Sequence, residues 1–167
     1  MRLQHLELEL FADYHQFYLW DRDMNPVAPV DYNEVDVCNW IKTNPHVLVV
    51  LQHRDGTVRV EVEIHDSEPG YSAEEWDHIA EASLHLPTGN LQVHECTGGV
   101  VADIVVKPGW YRVRTFHGGF DTIDESELEG DDETIVVLWP APSAELRVIK
   151  QWLPESEDDG EDEPELA

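Results

Sequence analysis

The stretch TVRVEVEIH, Thr57–His65, alternates without a break: Val58, Val60, Val62 and Ile64 fall on one side, Arg59, Glu61, Glu63 and His65 on the other. Successive side chains leave a pleated chain on opposite faces. A period of two is therefore the mark of a β-strand with one face on a core and one in water. HLELEL, His5–Leu10, repeats the pattern, with Leu6, Leu8 and Leu10 opposite His5, Glu7 and Glu9. Outward from these two, HQFYLWD, HVLVVLQ, AEASLHL, NLQVHE, ADIVVK, WYRVRTF, TIVVLW and LRVIKQ are further candidates, which makes about ten strands in all.

The connections carry turn residues: RDG, PTGN, TGG, KPG and HGG. Asp55-Gly56, between two strong strands, reads as a hairpin turn. Helical periodicity is scarce. YSAEEWDHIAEA opens as a helix does but can equally run into a strand, and VDYNEVDVCNWI has room for a turn or two. Many short strands without a βαβ rhythm predict an all-β fold, an antiparallel, jelly-roll-like β-sandwich in one domain over residues 1–153.

Charge is the outlying property. The 167 residues hold 36 Asp and Glu against 10 Lys and Arg, a net charge of −26. Part of the excess is PESEDDGEDEPELA, Pro154–Ala167, with eight acids and no base. Such a segment buries too little apolar surface to offset its chain entropy, so residues 154–167 are expected to be a disordered acidic tail. Taking its eight acids from the 36 leaves 28 against 10, so residues 1–153 alone carry −18. A field of that sign repels nucleic acid and anionic membranes and speeds encounter with basic proteins.

Neither MRLQHLELELF nor the longest aliphatic run, VLVVL at Val47–Leu51, reads as a signal peptide or a membrane span. Cys38 and Cys96 match no zinc or redox spacing and are expected to be reduced, as in a cytoplasmic protein.

Within ELFADYHQFYLWDRD, a histidine and a glutamine interrupt an aromatic run. As one strand it places Tyr14, Gln16, Tyr18 and Trp20 on one face and His15, Phe17 and Leu19 on the other. Buried polar groups need partners, so His15 and Gln16 are expected to serve the fold through hydrogen bonds. The YHQF of Tyr14–Phe17 resembles the start of the competence protein J (Nin) family. A second patch, LHLPTGNLQVHECTGGVVADIVVKPGWYRVRT (Leu84–Thr115), is similar to the same family, most firmly at Pro108-Gly109-Trp110-Tyr111-Arg112-Val113. The resemblance covers under half of the chain and implies the family's fold. Through its best-known member, an inhibitor of the DNA-entry nuclease NucA, it also implies a protein partner of that kind. Tyr14, His15, Gln16, Phe17, Pro108, Gly109 and Tyr111 are the positions that carry it, and their expected role is structural.

GGFDTIDESELEGDDE, Gly118–Glu133, joins two strands and concentrates Asp121, Asp124, Glu125, Glu127, Glu129, Asp131 and Asp132 at an end of the sandwich. Its Glu125-x-Glu127-x-Glu129-Gly130 copies the first half of a calcium loop, but the twelfth position is Val136 and no helices flank it. These seven acids are the expected partner-binding surface. No metal or other cofactor is expected: the nine histidines form no H-x-H, H-E-x-x-H or H-x₃-H pair. No G-x-S-x-G supports a nucleophile, so no catalytic residue is named.

The leading functional reading is a non-enzymatic, acidic module that binds a basic protein. It would inhibit a DNA-degrading nuclease by occupying its positive groove. A sandwich that binds a small ligand or carbohydrate through some of the six tryptophans is the alternative. A jelly-roll metalloenzyme stands behind it.

Overall fold

In the computed structural model, which describes residues 1–44 and 46–153, the two alternating stretches pair with each other. β1 (Arg2–Phe11) runs antiparallel to β5 (Thr57–His65), setting Leu6, Leu8 and Leu10 opposite Val62, Val60 and Val58. Outward along the same sheet come β10 (Glu133–Pro140), β9 (Gly109–Gly118), β6 (His78–Leu86) and β11 (Arg147–Lys150). The second sheet is ordered β3 (Ile41–Asn44), β4 (Val47–Leu51), β2 (Gln16–Asp21), β7 (Asn90–Glu95), β8 (Gly99–Val105). The fold is thus the all-β sandwich expected. Among the described residues its strand pairs are antiparallel except one, β5 with β10, which run side by side in the same direction. Among the described residues no helix is long and apolar enough to cross a membrane. The predicted tail, residues 154–167, lies outside the described residues.

The core between the sheets takes Phe17, Leu19, Leu48, Val50, Leu91 and Val93 from one side and Leu10, Val60, Val62, Leu84, Val113 and Leu138 from the other. Each such side chain contributes ~1.5–3 kcal/mol on full burial. Both outer faces are partly covered as well. Ala28, Tyr32 and Trp40 lie on Tyr18, Trp20, Val47, Val49 and Leu51, which buries β2 and β4 on both sides. That is why VLVVL shows no alternation. Across the molecule Ala73 and Trp76 cover Ile79, Phe116, Val137 and Trp139.

Several local expectations are corrected. Asp55-Gly56 makes no hairpin, because β4 and β5 belong to different sheets. Ala12 N donates to Gly56 O (2.7 Å) and Gln52 N to His15 O (2.8 Å), so the β1–β2 and β4–β5 connections cross between sheets side by side. The strand read from HQFYLWD begins only at Gln16. Tyr14 (φ 58°) and His15 (φ 62°) are left-handed, so His15 leaves the Phe17–Leu19 face and is exposed. YSAEEWDHIAEA keeps one 3-10 turn, Ala73–Glu75, before entering β6. VDYNEVDVCNWI yields α1 (Glu34–Asn39), opened by an Asn33–Asp36 capping box and closed by Trp40 at φ 62°.

Charge also enters the interior. Arg114 is fully buried between the Tyr71 and Trp139 rings, 4.4 and 4.6 Å from their centroids, with Nε donating to Glu81 Oε1 (3.1 Å). Arg112 Nε donates to the other Glu81 oxygen (2.8 Å). Burial alone raises the Glu81 carboxyl's pKa, but the two guanidiniums prevail and hold it below the usual carboxylate range. Removing the shared anion leaves two buried cations without it. Glu81→Gln is therefore expected to cost about 3–5 kcal/mol in urea unfolding. A loss under about 1 kcal/mol would mean that the arginines are neutralised elsewhere.

Candidate functional site

At one end of the sandwich, the start of β2, the end of α1 and the β4–β5 and β9–β10 connections meet around a groove of about 460 Å³. Tyr14, His15, Gln16, Tyr32, Val37, Trp40, Leu51, Gln52, His53, Glu127 and Trp152 line it. Among the described residues six non-glycine residues have positive φ, and four of them, Tyr14, His15, Trp40 and Glu127, stand in this lining. A side chain larger than hydrogen pays for that conformation, and such outliers gather where a chain must present groups to a ligand.

One wall is a hydrogen-bonded knot. Gln16 Oε1 accepts from the hydroxyls of Tyr18 (2.9 Å) and Tyr32 (2.8 Å), while Gln16 Nε2 donates to Tyr14 O (3.1 Å). Burial, then the neighbouring Cys96, Asp36 and Asp31, push the Tyr32 hydroxyl up to about 12. Tyr32 is therefore a neutral donor near pH 7.

The floor is aromatic. Trp40 stacks on His53 (5.9 Å between centroids, 24° between planes), with Phe120 at 5.1 Å and Trp152 edge-on at 5.7 Å. Behind it His117 is fully buried 5.4 Å from Trp40. The Thr134 hydroxyl donates to Gln52 Oε1 (3.1 Å) and stands 3.2 Å from His117 Nδ1, so Nδ1 is the protonated ring nitrogen. His117 Nε2 and His53 Nδ1 are buried without a hydrogen-bond partner among the described residues. His78 is neutral too: its Nε2 donates to Asn39 O (2.8 Å) and its Nδ1 accepts from Trp152 N (3.0 Å).

The acidic connection rises beside this groove and has a built shape. Asp132 does not face a partner as expected: it is 4% exposed, with Oδ1 2.7 Å from Arg54 Nε. Arg54 also donates to Leu128 O and Thr57 O, each at 3.1 Å. Asp124 accepts from the Ser126 hydroxyl (2.7 Å) and Asp124 N donates to Glu129 O (2.9 Å), closing the loop on itself. Gly119 (φ 76°) sits where a Cβ would meet Asp131 O at 2.7 Å. Asp121, Asp124, Glu125, Glu127, Glu129 and Asp131 remain exposed.

The structure thus brings together two segments that sequence treated separately, YHQF and the acidic loop. Phe17 lies in the core instead, and Pro108, Gly109 and Tyr111 stand just before and within the start of β9, at the end of that strand away from the loop. There Tyr111 is buried and its hydroxyl donates to Lys107 O (2.6 Å). Sequence reasoning missed Tyr32, Trp40, His53 and Trp152, which come from three distant segments and share no linear pattern. Among the described residues one trio, His5, Glu7 and Glu61, brings possible metal-ligand atoms together, on the exposed face of β1 and β5. Glu7 stands directly opposite Glu61, and the His5 contact to Glu61 (2.9 Å) offsets that like-charge pair.

These features define a β-sandwich with an aromatic groove and an acidic wall at one end. No family model matches this sequence, and no curated protein matches it. Two solved structures share the fold. ComJ, inhibitor of the DNA degrading activity of NucA, from Bacillus subtilis, superposes with a TM-score of 0.62 at 14% identity, over 84% of this chain and 98% of ComJ. Crocagin biosynthetic gene J follows with 0.53 at 19%, over 84% of this chain and 100% of its own. The chain therefore has a ComJ-like fold.

Burial, then the nearby His78, depress the His117 pKa from 6.5 to about 3. The unfolded chain takes up this proton below about pH 6.5 and the folded chain does not, so stability is full above that pH and falls as pH drops toward 3. From pH 7 to 5 the folding free energy should fall by about 2 kcal/mol on this account, and His117→Leu should flatten the slope by about one proton. An unchanged slope in the variant would place the titration elsewhere.

Proposed function

We propose that this protein is an acidic binding module that docks on a basic protein, and that the partner is a DNA-degrading nuclease inhibited by occupation of its phosphate-binding groove. The observation that carries the reading is the acidic loop: six exposed carboxylates held in a fixed shape beside an apolar groove. An apolar centre with a charged rim is the anatomy of a protein interface, where buried anchors set residence time and rim charges set the on-rate. Among the described residues three bases, Arg54, Arg112 and Arg114, and three acids, Asp21, Glu81 and Asp132, are buried, so the excess of negative charge is carried by the other residues. A nuclease needs a positive groove for phosphates, and carboxylates can fill it as competitors. The ComJ-like fold supports this choice of partner, since ComJ inhibits the DNA degrading activity of NucA.

On this reading the protein acts without catalysis and in the cytoplasm. Cys38 and Cys96, both free thiols, suit a reducing compartment. The groove's volume favours one second reading, a small-ligand or carbohydrate-binding sandwich, because about 460 Å³ is within the range of small-molecule sites.

The test is association with a NucA-type nuclease across a salt series, with DNA degradation measured on the same samples. Neutralising Asp121, Glu125, Glu129 and Asp131 to their amides spares Asp124, which closes the loop. Association should slow by about tenfold or more at low salt, with a smaller change in dissociation. An on-rate indifferent to salt and to the four substitutions would remove the loop from the interface. Absence of nuclease binding at any salt would overturn the choice of partner.

A further inference from the structure

We propose that the groove is a receptor for an arginine side chain of the partner. The proposal rests on the protein-binding reading above but not on the partner being a nuclease.

Three observations point to this occupant. The first is charge. Among the described residues no Lys or Arg lines the groove, and the Glu127 carboxylate at its edge makes no ion pair or hydrogen bond. Lys42, the nearest cation to the Tyr32 ring at 5.5 Å, is already bound to Asp36 at 2.8 Å. The groove thus offers a carboxylate with no internal cation to meet it.

The second is the chemistry of the floor. Trp40 and His53 present near-parallel planes, with Trp152 edge-on beside them. A guanidinium is planar and weakly hydrated. It stacks on such faces while its fork of N–H donors reaches a carboxylate, and its methylene stem covers apolar groups such as Val37 and Leu51. A purely aliphatic occupant would leave the Glu127 charge in a drying site without a partner, and an anion would be repelled.

The third is preorganisation. Glu127 (φ 63°) and Trp40 (φ 62°) are both held in left-handed backbone, and Tyr32 is pinned by Gln16. The Tyr32 hydroxyl and the backbone that carries Trp40 and Glu127 are therefore set before binding, which lowers the entropic cost of docking.

The full chain can be titrated with N-acetyl-arginine amide and, separately, with its neutral isostere N-acetyl-citrulline amide. The readout is the six tryptophan indole N–H signals in NMR. The arginine probe should shift Trp40 and Trp152 saturably, and the citrulline probe should bind about fivefold more weakly. Glu127→Gln should remove that difference while leaving the spectrum folded. Silence of Trp40 and Trp152, equal binding of the two probes, or an unaffected preference in Glu127→Gln would each overturn the proposal. Nuclease association measured on the same preparation separates the two claims. A probe that titrates without nuclease binding refutes only the nuclease as partner. Nuclease binding with a silent groove refutes only the arginine receptor.

Discussion

The Arg54–Asp132 pair joins two connections that sequence places 78 residues apart, and both partners are buried. Taking two charges out of water is costly, and their attraction offsets that only when the remaining donors are satisfied. Here they are: Arg54 spends its other groups on Leu128 O and Thr57 O, one on the acidic loop and one at the start of β5. A single side chain therefore fixes the point where β4 crosses to the other sheet, the entry into β10, and the base of a loop whose carboxylates repel one another. The parallel pairing of β5 with β10 begins one residue beyond Asp132, at Glu133 opposite Arg59.

Two further internal arginines join layers in the same way. Arg112 and Arg114 bind Glu81 on the outer face of their sheet, Arg114 beneath the segment that carries Pro69 and Tyr71 and Arg112 against the backbone of Ala144 and Glu145. These buried ion pairs hold layers together, while the acidity of the exterior comes from composition, 36 acids against 10 bases. The loop can then carry six exposed carboxylates in a defined shape, which lowers the entropic cost of any contact made through them.

What sequence revealed depended on whether one face of a strand met water. β5 and β1 do, and their alternation was plain from Val58–Ile64 and Leu6–Leu10. β2 and β4 are covered on both faces, so the period vanished and their partners could not be read. Asp55-Gly56 had the composition of a hairpin, but turn chemistry reports a local bend and not which sheet the chain enters next. His15 was misplaced for a related reason. Nothing in YHQF announces two consecutive left-handed residues, because tertiary contacts impose them. At the site, the acidic loop was legible as composition. The burial of Asp132 was not, since its partner lies 78 residues away. The groove was invisible, being assembled from Trp40, His53, Glu127 and Trp152 only after folding.

The central claim is that Arg54 holds the acidic loop in shape beside the groove. Amide hydrogen exchange across residues 119–132 tests it directly, comparing the native chain with a double variant, Arg54→Met with Asp132→Leu, that leaves no lone buried charge. The account predicts that the amides of Asp124 and Asp131, which donate to Glu129 O and to the Thr122 hydroxyl, lose protection in the variant. Those of β9 and β6 should keep theirs. Equal protection of the loop in both proteins would contradict the account, because the loop would then be held by its own turns and not by the buried pair.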